Sequence, residues 1–536
     1  MGGATLGTVL NAHAANRAEV DALVFGDRRL TYRQLREEVR QLAKGLLALG
    51  VQRGDRVAVW LPNSIDWLVL DLAATSVGCV FVALNTWYTA PELGHALAHS
   101  ETNVLVVAGR YRSHDYESEF ATLVAAAAGT DTDAGPGRFA GLPHLRQVVS
   151  LTPDFAGATH SLDEVRALGR AVPDVEWDAA VEAVDGEDVA YLLFTSGSTA
   201  LPKAVPLVHR HLIENGLGIG SRLRLRDTDR FWFGTPLFFA LGCANSYMAA
   251  FGAGVSYVLQ DDLAPEAIRR TLIDEGCTVF YASNKISAAL LDHTADLSGL
   301  TLRTGVTSGA AAIRAAVDRL GITEICNAYG MTETYGVCTM TDATDPLDVR
   351  AQWSGTALPG TEVRIVDPDS GTLLAPGQDG EIQVRGHVLA GYYRDHERTA
   401  AAFTEDGFFR TGDLGRQDAA GRVQWVSRLD DMIKTGGLSV APAEVEAVLD
   451  RLDGIKRSYV VGLRDATNGQ LVAAFIETED GIILTADEVR AWCTGKLASY
   501  KIPRLVQSIS AEEVPFTATG KVRKRAFVER HQQATG

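Results

Sequence analysis

A chain of 536 residues, 46% hydrophobic and 22% charged, is long enough for more than one domain and apolar enough for large cores. Its formal net charge of −17 argues against a general nucleic-acid or anionic-membrane surface, although local basic clusters could still hold a phosphorylated small molecule. Six scattered cysteines (Cys79, Cys243, Cys277, Cys326, Cys338 and Cys493) lack CxxC and Cys-His ligand spacing, so they suggest neither structural zinc nor a disulfide framework. With no leader-like N-terminus and no apolar run of about 18 residues, the expectation is a soluble, cytoplasmic enzyme without a membrane span.

From Leu30 to Leu49 apolar residues recur at helical spacing, with Thr31 as N-cap and Gly50 as stop. Strand patterns at Arg56–Trp60, Val80–Leu84 and Val104–Val107 alternate with helical ones at Trp67–Val77 and Pro91–His99. That rhythm predicts βα units and a largely parallel sheet. Ala125 to Gly141, rich in Ala, Gly, Asp and Thr, is expected to form a mobile surface loop.

The run Tyr191-Leu-Leu-Phe-Thr195-Ser-Gly-Ser-Thr199-Ala-Leu-Pro202-Lys203 carries the most chemistry. An apolar strand opens into backbone amides, small hydroxyls and one cation, a combination suited to polyphosphate. It is not a Walker A loop, because Pro202 stands where a glycine would precede the lysine. A Ser/Thr-rich turn is the plain alternative. Further on, a strand-like Glu324–Asn327 leads into Tyr329-Gly330-Met331-Thr332-Glu333. There Tyr329 could stack on a base, Thr332 could donate to phosphate and Glu333 could bind magnesium. From Val363 short strands take over, at Val363–Val366, Gly380–Arg385 and Arg422–Val426, with turns at Asp367–Gly371 and Asp418–Gly421. Arg410-Thr-Gly-Asp413 sets a carboxylate beside a glycine turn, a pattern that fits a ribose contact or a simple Asx-turn. After Asp430 come Lys434-Thr-Gly436-Gly437, the helix Pro442–Leu452, the strand Ser458–Leu463 and Thr519-Gly520-Lys521. The boundary is therefore placed near Arg428–Asp431, giving domains 1–429 and 430–536.

In this order and at these separations, the segments resemble the adenylate-forming superfamily, and most closely its AMP-forming acyl-CoA synthetases. The resemblance runs from Leu30-Thr-Tyr-Arg-Gln-Leu35 to Thr519-Gly-Lys521. It implies an α/β fold: a large N-terminal domain of βα-built sheets with a β-barrel-like part, then a small mobile α+β domain. It implies ATP, magnesium and coenzyme A as cosubstrates, a carboxylic acid as substrate and a monomer or homodimer. The phosphate loop would be Thr195, Ser196, Gly197, Ser198, Thr199 and Lys203. Thr332 would meet the α-phosphate and Glu333 the metal. Ser308, Gly309, Ala310 and Ala311 would flank adenine, with Asn327, Tyr329 and Gly330 nearby, while Asp413 and Arg428 would hold the ribose. Lys521 would bridge the reacting carboxylate and the α-phosphate. Asp430 would be the hinge, Lys434 a second catalytic lysine, and Gly436 and Gly437 the lining of the thiol tunnel.

The acyl pocket would draw on Phe239, Leu241, Gly242, Asn284, Gly309 and Gly330. Few charges lie in those segments, so an apolar or aromatic acid is expected rather than an amino acid. Two departures stand out. The usual TSGSTG-x-PKG pattern has alanines here at Ala200 and Ala204, which resist positive φ, and Phe239 stands where many relatives carry histidine. A free-standing enzyme that loads a carrier protein's phosphopantetheine uses the same chemistry, and a non-catalytic acyl- or nucleotide-binding descendant is the alternative from another class.

Overall fold

The computed structural model describes residues 3–112, 114–128, 139, 141–152, 155, 157–195, 202–293, 296–429, 431–435, 438–465, 469–479, 481–494, 496–497, 499–516 and 522–535. Thr31 caps the helix Tyr32–Ala48 as expected. Its hydroxyl accepts from the Gln34 amide at 3.3 Å, and the Gln34 side chain accepts from the Thr31 amide at 2.9 Å. This reciprocal box satisfies two amides that the first helical turn leaves over. Leu35, Val39, Leu42 and Leu46 then line one buried stripe. By contrast, the helix Ile65–Ser76 is buried at every position after Asp66, so only apolar and small residues suit most of that stretch. Asp71 is the exception. It accepts from the Tyr191 hydroxyl at 2.7 Å, and burial pushes its carboxyl pKa up to about 8.

Two seven-stranded sheets dominate the first part of the chain. One runs in the order Lys203–Val208, Val189–Thr195, Val80–Ala83, Arg56–Trp60, Val104–Val107, Gln147–Ser150, His160–Ser161. The other runs Glu324–Cys326, Thr304–Val306, Val279–Tyr281, Arg230–Phe233, Ser256–Leu259, Asp21–Phe25, Arg28–Thr31. Pairing is parallel except at one edge of each, where Lys203–Val208 and Arg28–Thr31 fold back as antiparallel neighbours. The βα reading of the sequence therefore holds. Strands such as Val104–Val107 are buried at every position, as parallel strands covered on both faces require.

Two expectations are corrected. Ala125–Ala128 continue the helix Tyr116–Ala128, because a run of alanines is the strongest helix-forming sequence available. The rest of that expected loop lies mostly outside the described residues. Arg410–Asp413 is not a turn between elements but part of the strand Phe409–Gln417, with Gly412 at φ +67 absorbing a kink. That strand sits third in a four-stranded sheet ordered Thr361–Val366, Gly380–Gly386, Phe409–Gln417, Val423–Arg428.

By contacts the chain divides into two compact units. One comprises residues 1–363, 384–409 and 421–423; the other comprises 364–383, 410–420 and 424–536. The second contains a five-stranded sheet in which Gly469–Thr478 pairs with Ile455–Asp465 and with Leu505–Ile509. The helix Pro442–Leu449 packs Val445 and Leu449 into its core. No helix among the described residues is long and apolar enough to cross a membrane.

Candidate functional site

Thr195 and Lys203 face each other as register partners in an antiparallel pair. The expected phosphate loop is thus the connection of a hairpin whose two ends are locked by a sheet ladder. Ser196, Gly197, Ser198, Thr199 and Ala200 lie outside the described residues. Ala204 lies within the strand Lys203–Val208, opposite Phe194, and its carbonyl accepts from the Tyr393 amide at 3.0 Å. An extended strand position suits alanine better than glycine, so this departure from the family pattern carries no strain.

The Lys203 ammonium lies 2.5 Å from the Glu333 carboxylate and donates to the Tyr392 hydroxyl at 2.8 Å. Tyr392 in turn donates to the same carboxylate oxygen at 3.0 Å. Glu333 is only 4% exposed, so these partners replace the water its carboxylate oxygens would otherwise bind. The loop that presents it is tied down at several points. The Thr334 hydroxyl and the Met331 backbone bond in both directions at 3.0 Å. Tyr335 adopts φ 57, its phenol accepts from the Val208 amide at 3.0 Å, and its carbonyl accepts from the Asn245 side chain at 2.8 Å. Through Val208, the Glu333 loop and the Lys203 strand share one support. Gly330 is required by space: a Cβ there would come within 2.5 Å of the Gly336 carbonyl. Tyr329, beside it, is 9% exposed and pairs through its backbone with Thr339. Thr332 opens the short helical turn that carries Glu333.

Gly309, at φ +90, immediately precedes the helix Ala310–Leu320, whose first residues Ala310 and Ala311 are exposed along with Ser308. Asn284 braces this corner. Its amide donates to the Ser308 carbonyl at 2.7 Å and its oxygen accepts from Thr307 and Ser308 at 2.8 and 3.1 Å. Its polar atoms are thus engaged with Thr307 and Ser308. Asn327 is buried, and its side chain donates to the Arg350 carbonyl at 3.2 Å.

Phe239 is half-buried, its ring 4.3 Å from Phe238 and 6.0 Å from the exposed Trp87. It precedes a π-helical turn, Leu241–Ser246, a wide geometry that often accompanies functional sites. Gly242 has no room for a side chain: a Cβ would sit 2.7 Å from the Leu237 Cα.

In the second unit Asp413 is 2% exposed and lies 3.1 Å from the Arg428 Nε. Arg428 also donates to the Thr411 carbonyl at 3.1 Å, and the Thr411 hydroxyl accepts from the Asp413 amide at 3.1 Å. Lys434 lies in the strand Ile433–Thr435, paired with Ser439. Asp430, Gly436, Gly437 and Lys521 lie outside the described residues. Sequence reasoning missed Tyr392. Its motif Gly391-Tyr392-Tyr393 is an ordinary aromatic loop until the fold sets its hydroxyl between Lys203 and Glu333.

The profile of the AMP-binding enzyme family matches residues 10–393, and that of the AMP-binding enzyme C-terminal domain matches residues 444–521. The chain belongs to the AMP-binding enzyme family. YngI of Bacillus subtilis (strain 168), an acyl-CoA synthetase by name, is 34% identical over 98% of this chain and 97% of its own length. The mitochondrial medium-chain acyl-CoA ligase ACSF2 of Bos taurus is 32% identical over 99% of this chain and 88% of its own. Among solved structures, ATP-bound MatB from Rhodopseudomonas palustris superposes with a TM-score of 0.84 at 27% identity, covering 100% of both chains.

Proposed function

We propose that the protein is an AMP-forming ligase that joins an apolar or aromatic carboxylic acid to the thiol of coenzyme A. Membership of the AMP-binding family along nearly the whole chain supports this, and the Lys203–Tyr392–Glu333 cluster is the observation that carries it. In the first half-reaction a carboxylate oxygen attacks the α-phosphorus of ATP. The acyl–phosphate bond forms as the bond to pyrophosphate breaks. The carboxylate is already ionised at neutral pH, so no general base is required. The obstacle is an anion approaching a polyanion, and the remedy is fixed positive charge and alignment.

In this reading Lys203 and the loop from Thr195 hold the β- and γ-phosphates, and Lys203 turns from Glu333 toward them when ATP arrives. Thr332 meets the α-phosphate, Tyr329 stacks beside adenine at the Ser308–Ala311 corner, and Asp413 with Arg428 holds the ribose. Lys521 bridges the two reacting groups. Glu333 is a buried carboxylate with the Tyr392 hydroxyl oxygen close by, oxygen donors that fit a hard cation, so magnesium held there would offset phosphate charge. The aromatic group of Trp87, Phe238 and Phe239 suits an apolar acyl chain or ring.

In the second half-reaction the thiol sulfur attacks the acyl carbonyl. A C–S bond forms, AMP leaves with the electrons of the C–O bond, and the thiol proton passes to solvent. Rotation at Asp430 of the domain 430–536 would exchange Lys521 for the segment bearing Lys434, Gly436 and Gly437, so that one pocket serves two transition states. The six buried free thiols suit a reducing cytoplasm. A panel of carboxylic acids scored by pyrophosphate release and by thioester mass tests the activity. Strong turnover of free amino acids with none of apolar acids would refute the substrate class. Lys521→Ala should abolish adenylation yet largely spare thioester formation from supplied acyl-adenylate; equal loss of both halves would refute the alternation.

A further inference from the structure

The helix His209–Arg222 begins where the Lys203 strand ends, and it carries His211 and Glu214 three residues apart on one face. A third group reaches them from a distant part of the chain. His387 follows Gly386, which turns the backbone at φ +99 in a place where a Cβ would lie 2.0 Å from the Gly360 carbonyl. The His387 ring then packs over Gly360, where any side chain would come within 2.4 Å of its Nε2. The two imidazoles lie 4.5 Å apart by ring centroid, and one donor atom from each of His211, Glu214 and His387 falls within 4.8 Å of the others. His387 Nε2 is 2.9 Å from the Glu214 carboxylate.

Other features of this cluster point to a ligand. His387 is 5% exposed, and the Nδ1 atoms of both His211 and His387 are buried with no hydrogen-bond partner among the described residues. Buried polar atoms in native proteins are nearly always satisfied, so orphan ring nitrogens in one small cluster call for an explanation. Burial keeps both imidazoles neutral, lowering His387 and pushing His211 down to about 4, and neutral imidazole is the ligating form. The neighbouring cation, Arg210, lies 3.6 Å from Glu214 but bonds more closely to Glu187, at 2.5 Å. The ring of Tyr335 closes another side, 5.3 Å from His211 by centroid.

We propose that His211, Glu214 and His387 form a binding site for a divalent transition ion of the zinc type, separate from the magnesium carboxylate Glu333. Two imidazoles and one carboxylate suit zinc or its neighbours better than magnesium or calcium, which prefer all-oxygen shells. Three protein ligands leave one position for water. The ion would staple the helix His209–Arg222 to the loop that continues to Tyr392, and so stiffen the frame around Lys203 and Glu333. Its role is structural and requires no turnover.

The test uses tag-free full-length protein, stripped with a chelator and titrated with CoCl2, then with ZnCl2. Wild type should show visible d–d absorption saturating at about one equivalent of cobalt, bleached by zinc, and zinc should raise its melting temperature. Glu214→Gln and His387→Ala should each weaken cobalt binding by more than about tenfold. His211→Asn provides the same comparison should His387→Ala fail to fold. Absence of a saturable cobalt signal in wild type would overturn the proposal, as would a signal unchanged in the folded variants.

Discussion

Lys203 and Asp413 are both strand residues paired with an opposite charge, but the pairs are built on different principles. Lys203 meets Glu333 across the fold, and among the described residues its ammonium is held by side chains, the Glu333 carboxylate and the Tyr392 hydroxyl. Asp413 meets Arg428 from the neighbouring strand, and Thr411 anchors both partners, its hydroxyl on the Asp413 amide and its carbonyl on the guanidinium. A lysine is a compact charge on a flexible stem, so the first pair can open to exchange one anion for another. The second is an acceptor held still by buried backbone, with its cation half-exposed. One charged group is thus held through side chains, the other through the backbone of its own sheet.

The mutations that test this contrast differ in size. Glu333→Gln should lower kcat/KM for pyrophosphate release by about 10²–10³, the cost of losing a charge aimed at the reacting phosphates. A loss under tenfold would leave Glu333 a mere counter-ion of Lys203. Asp413→Asn should raise KM for ATP by about 10–100-fold, the value of a hydrogen bond to a charged group, with kcat nearly unchanged. A matching fall in kcat would mean that Asp413, too, acts on the transition state. Tyr392→Phe should cost about fivefold in kcat/KM, since it removes one neutral hydroxyl from a pair that survives without it. Ala204→Gly should leave adenylation unchanged and lower stability by about 0.5–1 kcal/mol, read by chemical denaturation. Faster adenylation would instead mean that alanine constrains the phosphate loop.

The parallel sheets were legible because buried strands and amphipathic helices write their periods into the chain, as in Val104–Val107 and Leu35–Leu46. Thr31 was legible as a cap because capping is a local reaction between residues three apart. The strand through Arg410–Asp413 was not, because Gly412 and its polar neighbours carry a turn signature that only sheet pairing overrules. The worry over Ala204 arose from a pattern in other chains and dissolved once its φ proved ordinary for a strand. A sequence does not say which way an amide is facing, so only the fold shows the partners of Asn284: the Ser308 carbonyl and amide and the Thr307 hydroxyl.

Sequence alone singled out Thr195, Lys203, Thr332, Glu333, Asp413 and Arg428 as candidates, because each sits in a short motif whose residue types announce charge and hydrogen bonding. The partnerships were decided only in three dimensions. Nothing local links Tyr392 to Lys203, or His387 to His211 and Glu214. Those contacts arise where an edge strand, a helix and a distant loop are brought to one place by burying their apolar neighbours. Motifs are written by local chemistry, and their pairings by the hydrophobic packing that folds the chain.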